Sequence, residues 1–282
     1  MVETKKNNFL YYLLSYLFVL LMVCFTCYPI LYTIIGSFKT NAELTQGGHF
    51  FPKTWHPENY ARALGEGNFL RYALNSIIVS LSVMALAVVT TSMAGYTYAR
   101  KQFIGKKVLL WLYTSLVFIA LGAVTLYPTY RILMLTHLNK SLLGLIFALV
   151  GGQIPNVLLV MGFVKTIPSS IDEAAIIDGC TPYAVFFRII LPLLKPILAV
   201  VALFTFRSSW NDYLISFILS IFSPNIKTLT VAVVQLKYAT NAAAEWHIML
   251  AGASLSIIPI LILYTFAHKQ FIGGLTVGAV KG

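Results

Sequence analysis

The sequence is short of charge, and of negative charge above all. Only 10% of its 282 residues are Asp, Glu, Lys or Arg, and 9 acids stand against 20 Lys and Arg. A soluble domain carries about 25% charged residues, so the chain lacks the polar surface a water-facing body needs. Cysteine is equally sparse, and three residues form no disulfide framework of a secreted scaffold. No G-x-x-x-x-G-K-[ST] occurs: Gly105-Lys106 lacks the upstream Gly and the following hydroxyl, so the chain has no phosphate loop of its own. The His residues are scattered, with neither H-E-x-x-H nor a Cys/His cluster, which argues against a metal site. Cys24 and Cys27 have redox spacing but sit in an apolar run without a strand–helix pattern, where packing is the expected role. No Ser/His/Asp arrangement, internal repeat or low-complexity tract is present.

What the chain has is apolar surface. It is 59% hydrophobic and 14% aromatic, with a mean hydropathy of +0.82. That composition excludes disorder and requires a bilayer to solvate much of the surface. A span needs about 20 mostly apolar residues, and six stretches qualify: 9–35, 74–98, 108–127, 142–163, 193–217 and 248–267. The first is too long for the apolar region of a signal peptide and lacks a good cleavage site, so it reads as a retained span. The expected architecture is all-α, a single domain over residues 1–282 with six transmembrane helices.

The basic residues set the expected orientation. Arg100–Lys107 is a short connection carrying Arg100, Lys101, Lys106 and Lys107, whereas the much longer stretch Gly36–Tyr72 offsets its Lys and Arg with Glu43, Glu58 and Glu66. The positive density favours both termini on the cytoplasmic side, as an even number of spans requires. In a soluble chain a charge of +11 would point to nucleic acid; here topology accounts for it and no nucleic-acid partner is expected. The Pro-, Trp- and His-rich segment His49–Tyr60 reads as a folded extracytoplasmic loop.

The connection at 165–192 is the most informative segment. Ser169 or Ser170 can cap a helix, with Asp172 or Glu173 as capping-box partner. Ile171, Ala174, Ala175 and Ile177 give it a small apolar face, and Gly179 stands where a left-handed residue ends a helix. Thr181 then caps a second helix with Pro182 at its first position, and Pro192 closes it. The pattern predicts a helix–turn–helix between spans four and five. An interfacial helix lying on the membrane surface is the plainer alternative.

The residue string goes further. Glu173-Ala174-Ala175, Asp178-Gly179 and Ile189-Ile190-Leu191-Pro192 together resemble the EAA loop of ABC-importer permeases, in the carbohydrate branch that includes the maltose permease pair. The resemblance extends over nearly the whole chain, through Asn59-Tyr60, Asn75-Ser76, Ala94-Gly95-Tyr96, Ala99-Arg100, Gly105-Lys106, Trp210-Asn211 and the terminal Gly278–Gly282. It implies a non-catalytic membrane subunit in a bacterial cytoplasmic membrane. Glu173, Ala174, Ala175, Asp178, Gly179 and Pro192 would form a coupling element seated on a cytoplasmic ATPase. The implied partners are a second permease subunit, often different in sequence, two ATP-binding subunits that hold ATP and Mg, and an extracytoplasmic solute-binding protein delivering a sugar or oligosaccharide. Gly36–Tyr72 and Asn225–Glu245 would face the binding protein, and the Gly-rich tail 273–282 the ATPases. Cys180 stands where Ala is common in the family, and its size is compatible.

Polar groups at membrane depth are costly and are candidate pathway residues. Arg207 and Asn211 are four apart on one face, with Asp212 in reach of Arg207; Trp210 would offer a ring for stacking on sugars. A structural Arg–Asp pair is the competing reading. Arg207 departs from the uncharged stretch expected in neutral-sugar members, which points to an acidic sugar. Asn75 and Ser76 are further pathway candidates alongside interhelical bonding, and Gln153, Pro155 and Asn156 interrupt span four and could unwind it beside a cavity. A stand-alone secondary transporter or channel built on Arg207 and Asp212 is the alternative function, but it leaves the 165–192 element unexplained.

Overall fold

A computed structural model describes residues 3–65, 68–118, 122–237 and 244–279. Among the described residues regular structure is helical: α1 (Glu3–Gly36), α2 (Asn41–Gln46), α3 (Glu58–Gly65), α4 (Phe69–Arg100), α5 (Lys106–Phe118), α6 (Leu126–Leu135), α7 (Leu142–Val150), α8 (Ile154–Val164), α9 (Ser170–Ile177), α10 (Pro182–Leu193), α11 (Lys195–Trp210), α12 (Leu214–Phe222), α13 (Leu229–Leu236) and α14 (Trp246–Ala279). Among the described residues three segments are long and apolar enough to cross a bilayer: Tyr11–Gly36, Phe69–Arg100 and Trp246–Thr265. Two bent pairs, α7 with α8 at 52° and α10 with α11 at 76°, bring the candidates to five.

Three expected spans differ in detail. The expected third span, 108–127, begins as α5 and ends at Phe118; residues 119–121 lie outside the described residues, and a 3-10 turn at Gly122–Thr125 leads into α6. The fourth breaks at Gly151–Gln153, and Pro155, whose missing N–H costs nothing in a first helical turn, restarts it as α8. The fifth ends at Trp210, short of residue 217, because Asn211 and Asp212 turn the chain before α12 starts at Leu214.

The chain forms two compact units. One runs to Phe69 and includes Val233–Ile257. In it α1 exposes nearly every side chain from Tyr11 to Tyr32, and its Thr26 and Thr33 hydroxyls donate to carbonyls four residues back, which satisfies those two groups on the apolar helix. The segment after α1 is folded, as expected for His49–Tyr60. Thr40 and Glu43 form a reciprocal capping box on α2. Asn59, buried, donates to the carbonyls of Ser37 (2.8 Å) and Lys39 (3.0 Å), and Tyr60 Oη lies 2.7 Å from Ser37 Oγ. Arg62 pairs with Glu245 at 2.9 Å, and the α14 N-terminus is held by Trp246 N–H donating to Asn41 Oδ1 at 3.0 Å.

The second unit comprises Leu70–Ala232 and the chain from Ile258. Its larger core gathers Tyr96, Val160, Val164, Val185, Ile190 and Leu194 from α4, α8, α10 and the α10–α11 joint. Gly95 lets α4 and α8 meet at their backbones: a Cβ there would stand 2.6 Å from Val160 Cγ1 and 3.0 Å from Met161 N. A smaller core joins Val79 and Val83 to Leu133, Leu145 and Leu219.

Candidate functional site

The helix–turn–helix is present. Gly179 has φ +84°, and around it Cys180 N–H donates to Ala175 O (2.9 Å) while Gly179 N–H donates to Ile176 O (3.0 Å). These two bonds satisfy the last carbonyls of α9 in the paired manner that a left-handed residue after a helix permits. A Cβ on Gly179 would meet nothing within 4 Å, so backbone conformation alone selects glycine. Thr181 Oγ1 accepts from Ala184 N–H at 3.3 Å and caps α10, with Pro182 in its first turn. Residues Val185–Ile190 then wind as a π-helical turn, and the chain bends at Leu194, which is fully buried. Pro192 sits exposed in the last turn of α10.

Two expectations about α9 are corrected. Ser169 is itself helical and makes no side-chain cap, so no capping box forms. Of the proposed apolar face, Ala175 is buried and Ile171 partly so, but Ala174 and Ile177 point outward. The helix is rotated so that Asp172 faces inward with Ala175, because Asp172 has partners there. Tyr96 Oη donates to its Oδ1 at 2.9 Å, and Arg100 Nε lies 3.1 Å from its Oδ2. Arg100 Nη2 also donates to the carbonyls of Ile167 (2.7 Å) and Pro168 (3.4 Å). Sequence reasoning missed this cluster. Its signal was the four-residue spacing of Tyr96 and Arg100, which puts both on one face of α4.

The rotation leaves an apolar tip outside. Ile177 is 85% exposed and Tyr183 77%, with Ile176 and Phe187 more than half exposed. Glu173, Ala174, Asp178 and Gly179 are exposed beside them. The other element assigned to the same partner, the tail 273–282, ends in residues 280–282, which lie outside the described residues.

The end of α11 is arranged differently. Asp212 does not pair with Arg207: its Oδ2 accepts from Ser216 N–H (2.9 Å) and Ser216 Oγ (2.8 Å), holding the first turn of α12. Trp210 is not an open ring, as it is 2% exposed and stacked on Phe206 with centroids 5.6 Å apart, and its carbonyl accepts from Thr230 Oγ1 at 2.7 Å. Asn75 and Ser76 are buried and engaged. Asn75 Nδ2 donates to Asn225 O and Lys227 O, both at 2.9 Å, and Ser76 Oγ accepts from Leu229 N–H at 2.8 Å. Asn156 Nδ2 bridges Gln153 Oε1 (2.6 Å) and Thr205 Oγ1 (3.2 Å), tying the break in the fourth span to α11. Arg207, Ser208 and Asn211 remain exposed. In the stretch named for the binding protein, Asn225–Glu245, residues 238–243 lie outside the described residues. Among the described residues no cluster of His, Cys, Asp or Glu is placed to hold a metal ion.

No family model matches the chain. Individual relatives do. The chain is 35% identical over 279 residues to the maltodextrin transport system permease protein MdxG of Bacillus subtilis, covering 95% of each chain. It is 31% identical over 268 residues to the probable ABC transporter permease protein YurM of the same organism, covering 95% of this chain and 88% of the relative. Among solved structures, a bacterial ABC transporter involved in the import of the acidic polysaccharide alginate contains a chain that superposes with a TM-score of 0.78 at 20% identity, covering 94% of this chain and 98% of that one.

Proposed function

The chain belongs to the carbohydrate ABC transporter permeases, and from that premise we propose that it is one of two membrane subunits of an ATP-driven importer fed by a solute-binding protein. Six helices cross the membrane in this reading, with both termini and the 165–192 connection cytoplasmic. The observation that carries it is the α9–α10 tip: an ordered turn with Ile177 and Tyr183 laid bare and capped at both helices. Large apolar side chains fixed in water are stabilising only where another surface covers them. A groove on an ATP-hydrolysing subunit is the occupant we assign, with Glu173 and Asp178 accepting bonds from its basic residues. ATP and Mg are then held by those subunits. Gly36–Tyr72 and the connection before α14 would receive the binding protein outside.

The substrate is a sugar or oligosaccharide. The finer reading, an acidic one, rests on Arg207, an exposed cation near the end of a membrane helix with no ion pair among the described residues. Copurification of the chain with an ATPase, and ATP-dependent sugar uptake by proteoliposomes of the assembled complex, tests the main reading. Uptake by this chain alone down an ion gradient would overturn it. For the finer one, Arg207→Ala is expected to lower uptake of an acidic sugar about tenfold, the scale of one lost charge-assisted contact. Neutral-sugar uptake should hold; equal effects on both would remove the acidic assignment.

A further inference from the structure

An exposed tip explains how a partner grips the loop, but not how a pull on the loop reaches a span. We propose that Tyr96, Arg100 and Asp172 form the joint that carries motion of α9 into α4, with Tyr96 and Arg100 as positioning residues for coupling. The proposal rests on the function given above.

Three observations support it. First, the joint is placed at the end of α9 away from the tip. Asp172 lies in the first turn of α9, and Arg100 also holds the carbonyls of Ile167 and Pro168 just before it. Because Ser169 makes no side-chain cap, these bonds are what fasten the start of α9. Second, α9 is not packed flush against α4. A cleft of about 180 Å³, lined by Tyr96, Arg100, Lys101, Asp172, Glu173 and Ile176 among others, opens between them. The connection therefore runs through side chains: the Tyr96 hydroxyl donates to Asp172 Oδ1, and the Arg100 guanidinium faces Oδ2 at 3.1 Å as an ion pair without hydrogen-bond geometry. Asp172 is only 8% exposed, so water does not readily replace its partners. Third, α4 and α8 are in backbone contact at Gly95. A displacement delivered to Arg100 is thus handed to a helix pair.

The test is the number of sugars transported per ATP hydrolysed by the whole importer in proteoliposomes. Loss of folding or assembly lowers transport and hydrolysis together and leaves that ratio unchanged, whereas a broken joint lowers the ratio. Asp172→Asn is expected to reduce it about tenfold, the scale of a lost charge-assisted bond. Tyr96→Phe, which keeps the ring against Phe186 and removes one donor, is expected to reduce it about threefold. If Asp172→Asn does not assemble, Tyr96→Phe decides alone. A wild-type ratio in Tyr96→Phe overturns the joint while leaving the transporter reading intact; absence of ATP-driven transport in the unmodified importer overturns the reading beneath it.

Discussion

The turn between α9 and α10 keeps its large apolar side chains outside, whereas the end of α11 stacks its Trp inside and engages several of its polar groups within the chain. Ile177 and Tyr183 are bare, yet Trp210 is stacked and Asp212 and Thr205 are bonded within the chain. In a chain dissolved in lipid the usual signs are reversed. Hydrogen-bonding groups at depth are costly unless paired, so most are spent on holding helices together. Exposed hydrocarbon is unremarkable along a span, and becomes informative only where the backbone leaves the apolar segments, as it does at Gly179.

The largest expected effect comes from attacking the exposed side of that contrast. Ile177→Glu places a charge where a partner is to cover it, and should lower ATP-dependent uptake at least tenfold, since a desolvated unpaired charge in an interface costs roughly 2–5 kcal/mol. The thermal stability of the isolated subunit should not change, because the side chain meets water there already; equal loss of stability would mean the tip is part of the core. A pair of asparagines sharpens the other side. Asn75→Ala removes a buried side chain that donates two part-buried hydrogen bonds and should cost about 1–3 kcal/mol in denaturant unfolding. Asn211→Ala, at an exposed position, should stay within about 0.5 kcal/mol. Equal costs would erase the distinction between engaged and free polar groups. The smallest effect lies outside both regions. The backbone N–H groups of Thr40 and Lys53 hold the Glu43 carboxyl below its ordinary value of 4.5. A depressed folded pKa means a contribution complete above the unfolded value and lost as pH falls through the folded one. Protection of the Thr40 and Lys53 amides, measured against the unstructured exchange rate at the same pH, should therefore fall below about pH 4.5, and flat protection there would show that the carboxylate does not hold the loop.

Local chemistry made much of this legible in advance. Gly179, Thr181 and Pro182 act through backbone conformation and capping, which depend on neighbours in sequence, and each behaves as its type requires. Pro155 likewise restarts a helix after a break that its presence announces. The rotation of α9 was not legible, because Ser169 and Asp172 satisfy the capping pattern on paper. Only the arrival of Tyr96 and Arg100 from α4 draws the carboxylate inward. The same holds for Asn75: its polarity marks it as special, but the groups that consume it, Asn225 O and Lys227 O, are about 150 residues away in sequence and are set by tertiary structure.

The elbow at Leu194 has a mechanical corollary. From Pro182 to Leu193 the chain is a rod of about 12 residues, roughly 18 Å at the rise of an α-helix, and it meets α11 at 76° across a pivot with no solvent exposure. If that elbow yields as a hinge, shifting the far end of the rod sideways by one helical turn, about 5.4 Å, swings it through about 17°. The geometry is that of a crank: a short stroke at Tyr183 becomes a torque at the foot of α11, the helix whose other end carries Arg207.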